Sequence, residues 1–271
     1  MEKSGSQSFM MKAGFGNPEK LLTHGILIMG PAFYYHPLTG YWQMLPTVFL
    51  KRKKCCSCDL SNLFNTQMQN IKTIIFDFGG VILNIDYNRT SKAFKDIGLS
   101  NFDEMYSQKN ANMLFRDLEE GKINEEEFYI TFKSLTHLEL TDDQIKNAWN
   151  AMLLHYREEA LHTLKAIKQK YKLYLLSNTN SIHYTTFNKI FTDQIGGDPL
   201  NDYFDKAYYS HEIGYRKPGK EAYEFVLKEN NLSPSETLFI DDSIQNINAA
   251  NALGLQTIFL KEGMKLEDLE L

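Results

Sequence analysis

Four places along the chain set reactive side chains behind an apolar run, three of them directly. Asp77 follows Ile74-Ile75-Phe76, Ser177-Asn178 follows Leu175-Leu176, Arg216-Lys217-Pro218 lies after Lys206-Ala207-Tyr208-Tyr209, and Asp241-Asp242 follows Phe239-Ile240. Together they supply a carboxylate able to attack, a hydroxyl and an amide, a fixed ammonium, and a carboxylate pair. That set suits the transfer of a phosphoryl group. Asp77 can attack phosphorus and form an aspartyl-phosphate that water later hydrolyses. Asp242, with Asp77 and a backbone carbonyl, offers the hard oxygen donors that Mg²⁺ prefers. The cation would neutralise the phosphate and the nucleophile, so that the two anions can approach. Ser177, Asn178 and Lys217 are candidates to bind the substrate, with Ser177 and Lys217 holding the equatorial oxygens on which transition-state charge accumulates.

Taken singly, each of these residues has an ordinary structural reading. An aspartate after a strand is often a turn residue, Ser-Asn a helix cap, and a lysine before proline a solvated side chain. Their joint placement favours the chemical reading. Adjacent carboxylates at a strand end repel one another unless a cation is near, which makes Asp241-Asp242 the hardest pair to dismiss.

The elements that must hold these residues alternate. Ile71 to Phe78 is apolar almost throughout, the pattern of a parallel strand covered on both faces. Further strands are predicted at 172–176, 206–209, 237–240 and 256–260, with helices at 158–170, 182–191, 219–229 and 243–253. Such alternation predicts an α/β fold with a doubly wound, mostly parallel sheet, which binds ligands beyond the carboxyl ends of its strands. Between about 86 and 156 the strand signal vanishes. Helices are predicted at 89–97, 111–119, 125–135 and 142–155, the last opened by a capping box from Thr141 to Gln144. This block reads as an inserted α-helical cap, with Phe94, Phe115, Phe128, Tyr129, Phe132 and Trp149 as its core. Glu125-Glu126-Glu127 is a helix start suited to the helix dipole.

The motifs resemble those of the haloacid dehalogenase superfamily. Phe76-Asp77-Phe78-Gly79-Gly80-Val81-Ile82 is similar to the first family motif, Leu175-Leu176-Ser177-Asn178 to the second, Arg216-Lys217-Pro218 to the third and Phe239-Ile240-Asp241-Asp242-Ser243 to the fourth. They occur in order over residues 71 to 260, with a helical insertion where a type 1 cap belongs. The resemblance implies a Rossmann-like core and a Mg²⁺-dependent phosphatase. Asp77 would be nucleophile and metal ligand, the Gly79 carbonyl a further ligand, Asp242 the main carboxylate of the fourth motif, and Asp241 a neighbouring or water-mediated one. Asn246, one turn beyond Asp242, would steady the site.

One position departs from the pattern. Family phosphatases usually carry a second aspartate two residues after the nucleophile, which protonates the leaving oxygen and then activates water; here that residue is Gly79. With Asp86-Tyr87-Asn88-Arg89 following, the first motif is most similar to the branch containing α-glucose-1-phosphate phosphatase and the amino-terminal domain of bifunctional epoxide hydrolases. That branch points to a sugar phosphate, whose anomeric oxygen would leave without much help. Asp86 and His183 are the alternatives for the lost acid, but read more simply as a hinge residue and a helix-surface residue. A 2-haloacid dehalogenase needs no metal, and Asp241-Asp242 speaks against it. A catalytically weak binding or regulatory protein has only Gly79 in its favour.

The remaining features narrow the setting. The 271 residues carry a formal net charge of -5 and are 43% hydrophobic, a balance that argues against nucleic acid as the main partner and leaves a small phosphorylated metabolite. Cys55, Cys56 and Cys58 are the only cysteines. No disulfide framework can therefore staple the fold, and a reducing cytoplasm is expected. Residues 1–67 show no sustained period and read as a poorly structured extension, with Met68 as a candidate natural start. Their apolar stretch is broken by His24, Pro31, His36, Pro37 and Pro46, so no stable membrane insertion is expected. The domain reading is thus an extension over 1–67, a core over 68–85 and 157–271, and a cap over 86–156.

Overall fold

A computed structural model describes residues 70–271 apart from Gln108 and Glu270, with backbone alone around 107–112, and the backbone of residues 33–36 and 41–44. The latter form an antiparallel hairpin, β1 (Phe33–His36) with β2 (Tyr41–Met44). The rest of 1–67, and with it the reading of an unstructured extension and of a start at Met68, lies outside the described residues.

From Thr73 onward the order is β3 (Thr73–Phe76), β4 (Leu83–Ile85), helices α1 (Tyr87–Asp96), α2 (Phe102–Ser107), α3 (Lys109–Glu119), α4 (Glu125–Thr136) and α5 (Asp142–Asn150), then β5 (Leu153–Tyr156). After these come α6 (Glu158–Ile167), β6 (Lys172–Ser177), α7 (Ser181–Gln194), β7 (Lys206–Tyr209), α8 (Ser210–Ile213), α9 (Lys220–Glu229), β8 (Thr237–Asp241), α10 (Ile244–Ala252) and β9 (Gln256–Phe259). Five strands form one sheet in the order β7-β6-β3-β8-β9, every neighbouring pair parallel. β3 is central, and all four of its residues are buried.

The strand period of two explains how one sheet acquires two cores. Ile74, Phe76, Leu173, Leu175, Leu238 and Ile240 pack with α6 and α7 on one face. Ile75, Tyr174, Leu176 and Phe239 pack with α9 and α10 on the other. Because β3, β6 and β8 run parallel in matched register, their carboxyl ends bring Asp77, Ser177 and Asp241 to one edge of the sheet.

The cap has its own core, in which Phe94, Phe115, Phe128, Phe132 and Trp149 are buried together with Ile182 of the underlying α7. Its last helix opens on the expected capping box, where the Gln144 N–H donates to the Thr141 hydroxyl and the Gln144 side chain accepts from the Thr141 N–H. Two expectations are corrected. Residues 102–107 form a further helix, and the helix predicted over 142–155 stops at Asn150. Residues 153–156 instead pair antiparallel with 83–85. The helical pattern runs through Leu153 and Leu154, but the backbone partners on β4 decide, as tertiary pairing commonly overrides local preference for short apolar runs. This two-stranded ribbon carries the chain from core to cap and back. Among the described residues no helix is long and apolar enough to cross a membrane.

Candidate active site

A cavity of about 590 Å³ opens beyond the carboxyl ends of β3, β6 and β8, beneath the cap. Asp77, Gly79, Ser177, Asn178, Lys217 and Asp242 all line it, as do Asn246 and Arg216. Carboxylate oxygens of Asp77, Asp241 and Asp242 lie within 4.8 Å of one another.

Lys217 is the counterion at the centre. Its side chain is 1% exposed and donates from Nζ to Asp77 Oδ1 at 2.6 Å and to Asp241 Oδ2 at 2.9 Å. Burial alone would push its pKa down, but the two carboxylates outweigh burial and leave it raised. Asp77 is pushed up to about 7, first by burial and then by Asp241 and Asp242, against the opposing pull of Lys217. Burial also raises Asp242, with Asp241 adding to it. With all three carboxylates ionised, the one ammonium leaves an excess of two negative charges. A divalent cation would match that excess, so the donor set fits one.

Two of the predicted site residues have other work. Asn178 donates from Nδ2 to the Lys217 carbonyl at 2.8 Å and accepts from the Lys217 N–H at 2.8 Å. Its side chain therefore positions the lysine, while the residue itself lines the cavity. Both oxygens of Asp241 are engaged: Oδ1 accepts from the Ser243 N–H, and Asn246 Nδ2 donates to both oxygens, beside the Lys217 bond. With no exposed surface, Asp241 anchors Lys217 and orders the turn into α10, which leaves Asp77 and Asp242 as the carboxylates turned to the cavity. The loops beyond β6 and β7 are tied once more, by Ser210 Oγ accepting from the Thr179 N–H and donating to the Thr179 carbonyl.

Gly80 shows how tightly the first motif meets the fourth. Its φ is +76°, and a Cβ there would stand 1.9 Å from Asp242 Oδ2. Only glycine accepts both the backbone angle and the approach. Gly80→Ala is expected to displace Asp242, raising the Mg²⁺ concentration needed for half-maximal activity at least about tenfold, on the order of the loss seen when a group supporting a metal ligand is removed. A metal titration of activity checks it.

Neither alternative to the missing acid is placed for the task. Asp86 caps α1 by accepting from the Asn88 N–H. His183 is buried beneath the cap, not on a helix surface. It donates from Nε2 to the Trp149 carbonyl at 3.1 Å, which makes Nδ1 the acceptor from Asn180 Nδ2, and burial pushes its pKa down to about 4. At the +2 position, a Cβ on Gly79 would meet Ile85 Cδ1 at 3.0 Å, so Ile85 of β4 occupies the room of the absent side chain. Ile85 and Tyr87, which also line the cavity, are the residues that reading from motifs passed over. Their signal is weak: an apolar residue and an aromatic flanking Asp86 where strand turns to helix. Arg216 pairs with Glu119 of α3 at 2.9 Å and joins the third-motif loop to the cap.

Comparison with known proteins agrees with this geometry. The family model described as haloacid dehalogenase-like hydrolase matches residues 71–254. The chain is 37% identical over 194 residues to D-ribitol-5-phosphate phosphatase of Bacteroides thetaiotaomicron, covering 71% of this chain and 93% of that one. It is 28% identical over 200 residues to a sesquiterpene phosphatase of Aspergillus oryzae, covering 71% and 91%. Among solved structures, a haloacid dehalogenase family enzyme from B. thetaiotaomicron, crystallised with magnesium and inorganic phosphate, superposes with a TM-score of 0.68 at 34% identity. That match covers 74% of this chain and 100% of the other.

Proposed function

The chain belongs to the haloacid dehalogenase-like hydrolases and is a Mg²⁺-dependent phosphomonoesterase; from that premise we propose that Asp77 is its nucleophile and that its substrate is a small sugar or polyol phosphate. The observation that carries the reading is the meeting of Asp77, Asp241 and Asp242 around buried Lys217 at the mouth of three parallel strands. A dehalogenase working on carbon has no use for such a surplus of negative charge.

Asp77, Asp242 and the Gly79 carbonyl would hold Mg²⁺, which supplies charge neutralisation between nucleophile and phosphate. Asp77 attacks phosphorus through a carboxylate oxygen as the ester oxygen departs, giving an aspartyl-phosphate. Lys217 and Ser177 hold the equatorial oxygens through this step. The side chains of Asn178 and Asp241 fix the position of Lys217. The cap over 86–156 closes above a core built from 68–85 and 157–271, and its cavity walls select the ester. The clustered cysteines favour a reducing cytoplasm as the setting. The relative acting on a polyol phosphate, at 37% identity, supports the substrate class.

The test is phosphate release by the full chain from ribitol 5-phosphate, sugar 1-phosphates and 6-phosphates, and p-nitrophenyl phosphate. Release is expected with Mg²⁺, is expected to stop under chelation, and should favour a sugar or polyol ester. Release that persists under chelation would contradict the metal site, and preference for an unrelated class of ester would contradict the substrate.

A further inference from the structure

The leaving oxygen of an alkyl phosphate departs as an alkoxide unless a proton reaches it, and position 79 carries no acid. Ile85 fills the room beside Gly79, so a water in place of the missing carboxyl would face an apolar wall. The proton must come from elsewhere on the cavity lining.

Most protic groups there are unsuited. Lys217 is committed to two carboxylates, and Arg216 is permanently charged and paired with Glu119. His183 spends its one N–H on the Trp149 carbonyl. The hydroxyls of Ser177 and Ser243 are no more acidic than the alcohol they would have to protonate. A phenol, with an ordinary pKa near 10, is more acidic than an alkyl alcohol and can give its proton to an alkoxide.

One phenol lines the cavity. Tyr87 is the first residue of α1, two positions beyond Ile85, and its side chain is 67% exposed although it borders the same cavity as Asp77 and Gly79. It has no hydrogen-bond partner among the described residues. Partial desolvation at the cavity and the field of Asp77 raise its pKa, which keeps the hydroxyl protonated until an alkoxide forms.

We propose that Tyr87 is the general acid of this site, supplying from the cap the proton that the absent carboxyl at position 79 would have supplied from the core. The proposal rests on the phosphatase reading above. In the first half-reaction the Asp77 oxygen bonds to phosphorus, the ester P–O bond breaks, and the leaving oxygen takes the Tyr87 proton and departs as the alcohol. The tyrosinate is then reprotonated from solvent; in the second half-reaction a water oxygen bonds to phosphorus, its proton passes to solvent, and the P–O bond to Asp77 breaks. Inorganic phosphate leaves, and both side chains return to their starting states.

The experiment compares the full chain with Tyr87→Phe, both with Mg²⁺, on alkyl esters (ribitol 5-phosphate and glycerol 3-phosphate) and on p-nitrophenyl phosphate, whose leaving group needs no proton. The variant is expected to lose about 100-fold or more in kcat on the alkyl esters, the range of general acid catalysis, and to stay within about threefold on the aryl ester, since a leaving group that needs no proton loses nothing of that contribution. Equal losses on both classes would make Tyr87 a packing contact and overturn the proposal, as would undiminished alkyl turnover. A parent protein active only on the aryl ester would show that no acid operates, leaving the phosphatase reading intact. Absence of metal-dependent release from every ester would remove that reading and this proposal together.

Discussion

Replacing Lys217 by methionine is expected to abolish turnover and to destabilise the metal-free protein by about 3–5 kcal/mol, the usual cost of removing one partner from a buried ion pair. The side chain is 1% exposed and bonded to Asp77 and Asp241, so its loss leaves two buried carboxylates facing each other with no cation between them. The ammonium also stands 5.3 Å from the centroid of the Phe239 ring, a cation–π contact that is lost with the charge, while methionine retains most of the apolar stem. A second change separates the two consequences. Asp241→Asn in the Lys217→Met background removes one of the three clustered negative charges and is expected to recover part of the stability, because contacting charges are not additive. Activity is not expected to return, since the ammonium that holds the equatorial oxygens is still absent. Denaturant midpoints measured under chelation, beside initial rates with Mg²⁺, provide the check. A Lys217→Met protein as stable as its parent would contradict the central place given to this ammonium.

What a reader of the bare chain can see of this site depends on distance along it. Asp77, Ser177 and Asp241 are visible because each directly ends an apolar run, and parallel strands in register present their carboxyl ends together. The two-faced cores follow from near-continuous apolar runs, since a strand with no polar alternate has no solvated face. Partners are harder to see. Nothing local to Asn178 shows that its amide will be spent on the backbone of a lysine 39 residues away. Nor does the pair Asp241-Asp242 show which member turns inward to Asn246 and Lys217 and which outward to the cavity. The strand at residues 153–156 is hidden for the same reason, as its partner strand lies on the far side of the whole cap. Glycine is informative in a different way. Gly80 follows from contact with Asp242 and Gly79 from contact with Ile85, so two adjacent small residues report two different neighbours.

Asp77→Asn is expected to lose at least about 10⁴-fold in kcat, as removal of an attacking side chain typically does, and yet to be more stable than the parent without metal. The reason lies in the crowded carboxylates. Burial, with Asp241 and Asp242 adding to it, raises the Asp77 pKa from 3.8 to about 7 in the folded protein. Between those values the folded state holds a proton that the unfolded chain has released. Stability therefore falls as pH rises through the window, by up to about 1.4 kcal/mol per pH unit. Below the unfolded value both states are protonated and Asp77 costs nothing; above about 7 the cost is complete. Asparagine carries no such charge, accepts from Lys217 through its amide oxygen, and is expected to show a rising advantage in melting temperature from pH 4 to pH 7 under chelation, level at pH 8. Magnesium should reverse the order, because a cation bound by the folded parent stabilises it in proportion to the logarithm of metal concentration, and the variant has lost a ligand. Melting curves of both proteins at pH 5 and pH 8, with chelator and with Mg²⁺, give the measurement. An advantage for asparagine that is the same at both pH values would mean that Asp77 is not held against its charge, and the surplus of negative charge at this site would lose its role in recruiting the cation.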